Sequence, residues 1–341
     1  MIQGLFAVEE VNTMIEKGDT LLLAGDAALL SQLSKGNWIA GTTARFIESG
    51  KAPGCSRDQI FVHNLTDIVA DVKLEVYDAS TIPNIYDDAF ENGFSVLMMP
   101  FFSDVVKEYT INCTEYSNFA NRPVCGWISV VSSYSEYEKN DASLVFFGKN
   151  GMSYTNEGVV MHIGLSTEKY AEVHVFSPFK PEDDDVIVFE ENGHQIENVF
   201  INGVKQNFRD YLISQHIDRS QDVVITSNKC LAGDFGGFLI NVSISMESER
   251  DQGKYVAMGA PVYKNIPYRF ASTKNVSYEN IEDQFDGEIV YSITCVNNYV
   301  YADVFQQYLT HVNGPFVYGE IAYFLLNNAT IYITVGSVSN D

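Results

Sequence analysis

The stretch Asn313 to Val335, NGPFVYGEIAYFLLNNATIYITV, constrains the fold more than any other part of the chain. It opens on an Asn-Gly-Pro turn and passes through Gly319-Glu320 into a short apolar run. It then breaks at Asn327-Asn328 and finishes as a strand. Apolar runs this short, punctuated by Gly, Pro and Asn, are strand-sized. Glu320 stands out among them. It can serve as a general acid or base, hold a ligand ammonium group, or accept backbone N–H bonds across a loop.

The same reading extends to the rest of the chain. Val8, Val11, Met14 and Ile15 recur at helical spacing, and Thr20 to Ala24 is a short buried strand. A second helix is expected over Ala27 to Leu33, then a strand at Trp38-Ile39-Ala40 ending in Gly41-Thr42-Thr43-Ala44-Arg45. A strand that ends in Gly and hydroxyls is a place where backbone N–H groups can face an anion, and an ordinary Thr-capped turn is the alternative. Thr81 to Asn92 fits a helix with Pro83 in its first turn, Phe94 to Met99 a buried strand, and Phe102 to Tyr116 a helix. Pro123 to Val131, Gly158 to Leu165, Ala171 to Pro178, Phe235 to Ile244, Tyr255 to Ala260 and Glu288 to Val296 read as strands. Val199 to Ile201, the Asn202-Gly203 turn and the spacing of Phe208, Tyr211 and Leu212 form a strand–turn–helix module. Asn280 to Phe285 and Tyr301 to Leu309 read as short helices. Strands and helices mixed in this way imply an α+β architecture of layered mixed β-sheets flanked by helices, and the length suggests about two domains.

Charge narrows the partners. Against 21 Lys and Arg stand 45 Asp and Glu, a net charge of −24. Nucleic acid and anionic membrane are disfavoured, because basic side chains must neutralise phosphate. No basic leader with an apolar core opens the chain, and no apolar run reaches about 18 residues. Five scattered cysteines without a CxxC fit a reduced, cytoplasmic protein.

Catalytic signatures are few. HExxH, GxSxG, the Walker A loop and GxGxxG are all missing from the sequence. The acidic run Glu182 to Asp185 has no Gly placed for a calcium loop and reads as solvated, so neither metal nor cofactor is expected. His162 and His174 fall inside strands and are expected to pack or hydrogen-bond there. Cys295, at a strand end beside Asn297 and Asn298, is a buried inert thiol or a nucleophile; the latter needs a base such as His162 or His311.

Several motifs resemble the FIST family. Gly314, Phe316, Tyr318-Gly319-Glu320-Ile321 and Asn328-Ala329-Thr330 resemble the end of the C-terminal FIST domain, and Ser292 to Cys295 its cysteine-containing strand. Val296-Asn297-Asn298 stands where that family usually has Gly-Arg. Gly36 to Thr43 resembles the strand of the N-terminal FIST domain that leads into a Gly-Cys-Ser-Thr turn, here without the Cys. The segment from Ile201 to Leu212 resembles the linker module, without its Pro. The resemblance implies an N-terminal half over 1–197 and a C-terminal half over 198–341. It implies an intracellular sensory domain for signal transduction, recognising amino acids or related metabolites and coupled to a signalling partner. On that reading a ligand lies between the halves. Gly41, Thr42, Thr43 and Arg45 would take its carboxylate, and Tyr318 and Glu320 its amine. The rival readings are a hydrolase-like enzyme using Cys295 and a non-catalytic interaction scaffold.

Overall fold

Period-two patterning governs most of the chain, and in the computed structural model the described residues form five β-sheets with few helices. Residues 2–48, 54–130, 143–217, 229–245, 255–273, 285–300 and 312–338 are described. The first sheet runs Gln3–Phe6, Ile60–Asn64, Leu21–Gly25, Trp38–Thr42, Val145–Phe147, Met152–Tyr154. The second runs Phe324–Leu326, Glu320–Ala322, Val124–Ser129, Gly93–Pro100, Gly158–Gly164, Asp71–Tyr77. The third joins Lys169–Phe176, Thr330–Ser337, Glu288–Cys295, Gly314–Val317, Arg45–Ile47 and Gly54–Cys55. A seven-stranded sheet and a three-stranded one complete the set, built between Lys180 and Ser272.

Pairing is mostly antiparallel, with parallel ladders between Leu21–Gly25 and Trp38–Thr42, Gly93–Pro100 and Val124–Ser129, and Glu288–Cys295 and Gly314–Val317. Strands from both sides of residue 198 share four of the five sheets, so the backbone ladders do not part at the expected boundary between 197 and 198. The stretch from Asn313 to Val335 is the clearest case. Its first strand pairs with Arg45–Ile47, its second with Val124–Ser129, and its last with Lys169–Phe176.

The helices are shorter than periodicity suggests. Val8–Glu16 forms as expected, burying Val11 and Ile15 one turn apart, with the Glu10 carboxylate accepting the Ala7 N–H at 2.9 Å. The second helix stops at Leu30 instead of Leu33. Over Thr81 to Asn92 only a 3-10 turn, Ile82–Asn84, is present. Asp78 Oδ1 there accepts the N–H groups of Ser80 at 2.8 Å and Thr81 at 2.9 Å, a local alternative to helical bonding. The expected Phe102 to Tyr116 helix resolves into Asp104–Asn112, capped by Ser103, followed by a 3-10 turn at Cys113–Glu115. Asn202-Gly203, at φ of 50° and 83°, closes a hairpin between Asn198–Ile201 and Val204–Asn207 before the helix Phe208–Ser214 begins. The expected helix at Tyr301 to Leu309 lies outside the described residues, as does nearly all of Asn280 to Phe285.

One apolar core spans the sheets, from Leu22 and Ile39 through Leu97 and Trp127 to Ile293 and Ile333. A second fills the space between the first helix and the first sheet, around Val11, Leu23, Trp38 and Ile60. Among the described residues no helix is long and apolar enough to cross a membrane.

Candidate functional site

Strand alternation selects the side chains that meet at the centre. Glu320 pairs directly with Trp127 across an antiparallel ladder, so both project from the same face. Cys125 and Ser129 share that face with Trp127, two residues away on either side. On the Glu288–Cys295 strand the same alternation groups Tyr291, Ile293 and Cys295. These two faces meet. The Cys295 thiol lies beside the Glu320 carboxyl, and the Tyr291 hydroxyl lies beside the Trp127 indole and near Cys125.

Glu320 is fully buried; the Cys295 thiol and the main chain at Glu320 and Ala329 stand near its carboxyl, but neither oxygen completes a well-formed hydrogen bond. Burial raises its pKa well above the ordinary carboxyl range, so the group is held neutral. The neighbouring thiol and the main chain at Glu320 and Ala329 oppose that shift only in part. Burial likewise raises Cys295, and the adjacent Glu320 raises it further. Trp127 Nε1, Ser129 Oγ and the Tyr291 hydroxyl are also buried without partners; the Tyr291 and Trp127 groups are neighbours, yet neither completes a bond. Each such orphan costs about 1–3 kcal/mol of desolvation, and most buried polar groups in native proteins are paired. Several orphans on three strands, two of them paired in one sheet, mark this as an unusual part of the interior.

Part of the expected site converges here. The Cα of Gly41 rests against the Trp127 ring, and a Cβ there would stand 2.6 Å from the indole Cη2. Gly41 and Glu320 therefore meet the same indole from different sheets. Thr42 and Thr43 are committed elsewhere. Their N–H groups donate to Leu144 O at 3.0 Å and Gly25 O at 3.1 Å. The Thr42 hydroxyl donates to Leu144 O at 3.2 Å and the Thr43 hydroxyl to Phe316 O at 3.0 Å. Those amides cannot also cradle a carboxylate, which corrects the anion-site expectation for this turn. Arg45 is half-buried on the third sheet, opposite Cys55 in the ladder. Tyr318 is half-buried in the link between Gly314–Val317 and Glu320–Ala322.

A family model described as a family of unknown function, DUF6976, matches residues 6–336. The chain belongs to DUF6976. No curated protein matches it. The matched span contains every residue of the site, including Gly41, Trp127, Cys295 and Glu320.

In this DUF6976 chain a second buried polar group went unnoticed in the sequence. Asn297 Nδ2 donates to Asn328 Oδ1 at 2.8 Å and to Ser243 Oγ at 3.3 Å. Asn328 Nδ2 donates to Ser243 Oγ at 3.1 Å. Asn298 Nδ2 donates to Thr294 Oγ1 at 3.0 Å, itself 2.8 Å from Thr330 Oγ1. Together they lock the Asn327-Asn328 turn to the end of the Glu288–Cys295 strand, where Cys295 N donates to Ala329 O at 2.9 Å. Asn328 has φ of 57°, a left-handed conformation that Asn tolerates, and it is fully buried. The two Asn-Asn pairs were the sequence signal for this cluster.

The remaining candidates of the DUF6976 chain are structural. His162 accepts or donates between Ser95 Oγ at 2.7 Å and the Tyr77 hydroxyl at 3.2 Å, and His174 Nε2 contacts Thr334 Oγ1 at 2.9 Å. His162 is thus engaged away from Cys295, and His311 lies outside the described residues. A thiol that burial and a carboxyl neighbour keep protonated is not a nucleophile, so the Cys295 enzyme reading loses its main condition. The acidic run is tied down as well. Asp185 accepts from Asn202 Nδ2 at 2.7 Å and the Tyr211 hydroxyl at 3.0 Å, and Glu182 pairs with Lys229 at 3.0 Å. Among the described residues no group of three or more His, Cys, Asp or Glu converges as a metal site.

Proposed function

We propose that this chain is a small-molecule-binding sensory protein whose ligand reaches Glu320 and Trp127. The observation that carries the reading is the fully buried Glu320 carboxyl with neither oxygen in a well-formed hydrogen bond. Leaving such a group unmatched is costly, and a ligand with hydrogen-bond donors would remove that cost on binding. The FIST-like motif Tyr318-Gly319-Glu320-Ile321 supports the same place. It extends the proposal to amino acids or related metabolites as ligands, a signalling protein as the output partner, and a cytoplasmic setting.

The surface lends less to a scaffold. The large exposed apolar side chains among the described residues are Ile2, Phe101, Phe102, Met152, Val204 and Val338. Among these, Phe101 and Phe102 pack against each other at a tilt, with ring centroids 4.1 Å apart. Six scattered side chains fall short of a contiguous docking patch.

Titration calorimetry with a panel of amino acids and related metabolites tests the proposal. Binding of at least one member by the wild type, lost in Glu320→Gln, is the expected result. A panel that gives no heat at millimolar ligand refutes it.

A further inference from the structure

The second sheet ends on a long open edge. Asp71–Tyr77 is its last strand, paired antiparallel with Gly158–Gly164, and among the described residues no strand pairs with its other side. Which main-chain groups face outward follows from the ladders. Ser95 N donates to Pro123 O at 2.8 Å, toward the parallel neighbour, so Ser95 turns its amide and carbonyl away from Gly158–Gly164. Alternation then bonds Phe94, Val96 and Met98 to Ile163, Met161 and Val159, and turns His162 and Val160 to Lys73 and Glu75. Val72, Leu74 and Val76 are left with their N–H and C=O groups pointing out of the sheet. The Val72 N–H accordingly donates to the Asp71 carboxylate beside it, at 2.8 Å.

We propose that this edge pairs antiparallel with the same edge of a second copy of the chain, joining two six-stranded sheets across a two-fold axis at Leu74. Side chains select that register. A two-fold axis normal to the sheet keeps the apolar faces of both copies on one side. Centred on Leu74, it sets Lys73 opposite Glu75 of the second copy and Glu75 opposite its Lys73. Val72 then faces Val76, Leu74 faces its own counterpart, and Asp71 meets Tyr77. Leu74 and the two Val72–Val76 pairs exchange the outward N–H···O=C bonds. Lys73 and Glu75 fall at the non-hydrogen-bonded positions, where side chains stand closest. Moving the centre to Lys73 would oppose Lys73 to Lys73 and Glu75 to Asp71, and moving it to Glu75 would oppose Glu75 to Glu75. The charges thus admit one register of the three.

The edge side chains are free to make these contacts. Those of Lys73 and Glu75 are 37% and 42% exposed. Lys73 Nζ lies 3.6 Å from Glu75 of its own strand and 3.5 Å from Asp88, both longer than a charge-assisted hydrogen bond. Val72 and Val76 are half-buried and gain cover on pairing. A lysine on an edge strand ordinarily discourages pairing, whereas here Glu75 supplies its counter-charge. The other long edge strand, Lys169–Phe176, carries Lys169 and Glu172 on opposite faces, so no two-fold register of this kind matches them. The net charge of −24 on each copy opposes contact, which makes the pairing a concentration-dependent equilibrium.

Sedimentation velocity on the full chain, from micromolar to millimolar protein, tests the inference together with amide exchange over Val72–Val76. The wild type is expected to pass from monomer to dimer, with those amides slowing as the dimer forms. Lys73→Glu and Glu75→Lys each set like charges across the axis and raise the dimer Kd about tenfold or more. An equimolar mixture of the two variants restores association, because each strand then carries the charge that the other lacks, and this recovery also shows that both variants fold. The double variant Lys73→Glu/Glu75→Lys restores it as well. A wild type that stays monomeric overturns the inference. So does a dimer that neither single variant weakens, or one in which the Val72–Val76 amides exchange at the monomer's rate.

Discussion

His63 provides a direct test of how this interior holds titratable groups. Its ring is fully buried and packs edge-on against Tyr291 with centroids 4.7 Å apart. Its Nε2–H donates to Asn313 O at 2.8 Å, tying an early strand to the terminal stretch. Burial lowers its pKa from 6.5 to about 4, outweighing the bond to Asn313. The folded protein therefore binds fewer protons than the unfolded chain, and stability from this group is lost as pH falls below 6.5, down to about 4. Integrating the linkage from about pH 7 to about pH 5 gives a loss of about 1.8 kcal/mol from this one ring. In His63→Gln the side-chain amide can still donate to Asn313 O, and the lost ring contact shifts stability by about 0.5–1.5 kcal/mol at every pH. The informative quantity is the wild-type-minus-variant difference in unfolding free energy from urea titrations across that range. Glu320 titrates with the opposite sign and His162 with the same sign, but both are present in both proteins and cancel in the difference. The variant should lose about 1.8 kcal/mol less than the wild type on acidification. Parallel curves would refute a buried neutral His63.

Further outcomes follow from single contacts. Glu320→Gln should gain on the wild type by about 1.4 kcal/mol per pH unit above 4.5, while the folded acid stays protonated, because only the unfolded glutamate ionises there; the same urea series reads it. Gly41→Ala should cost about 1–3 kcal/mol by overpacking the Trp127 ring, with a shift in tryptophan emission, and an unchanged midpoint would show the indole to be free to move. Asn328→Ala should cost about 1–3 kcal/mol by stranding Ser243 and Asn297, read as a lowered thermal midpoint. Alkylation in the native state should label exposed Cys55 and spare Cys295, and rapid native labelling of Cys295 would restore the nucleophile reading.

Much of the local structure was legible in the residues. The strands at Trp38, Phe94, Gly158 and Glu288, the first helix, and the Asn202-Gly203 turn follow from periodicity and turn chemistry, which act over a few residues. The α+β expectation holds at the level of mixed β-sheets with helices, though the helices are few and short. Where local side chains competed for the backbone, as Asp78 does before Ile82, the helical spacing misled. Glu320 was legible as an odd carboxylate in an apolar run. Trp127 and Cys295 were not legible as its neighbours, since the three lie on strands far apart in sequence.

By itself, then, the sequence determined the strands, most turns, the acidic charge and the terminal stretch as a run of short strands. Tertiary structure decided which strands pair, and with that everything about the site. Register placed Trp127 opposite Glu320. Sheet packing set Cys295 beside that carboxyl, and close approach across sheets laid the indole on Gly41. It also committed the Thr42 and Thr43 amides to backbone partners and removed them from any anion site. Periodicity reports which face of a strand is apolar, whereas pairing between distant strands is decided by the burial of the whole sheet, and the ionisation state of Glu320 exists only once that burial is complete.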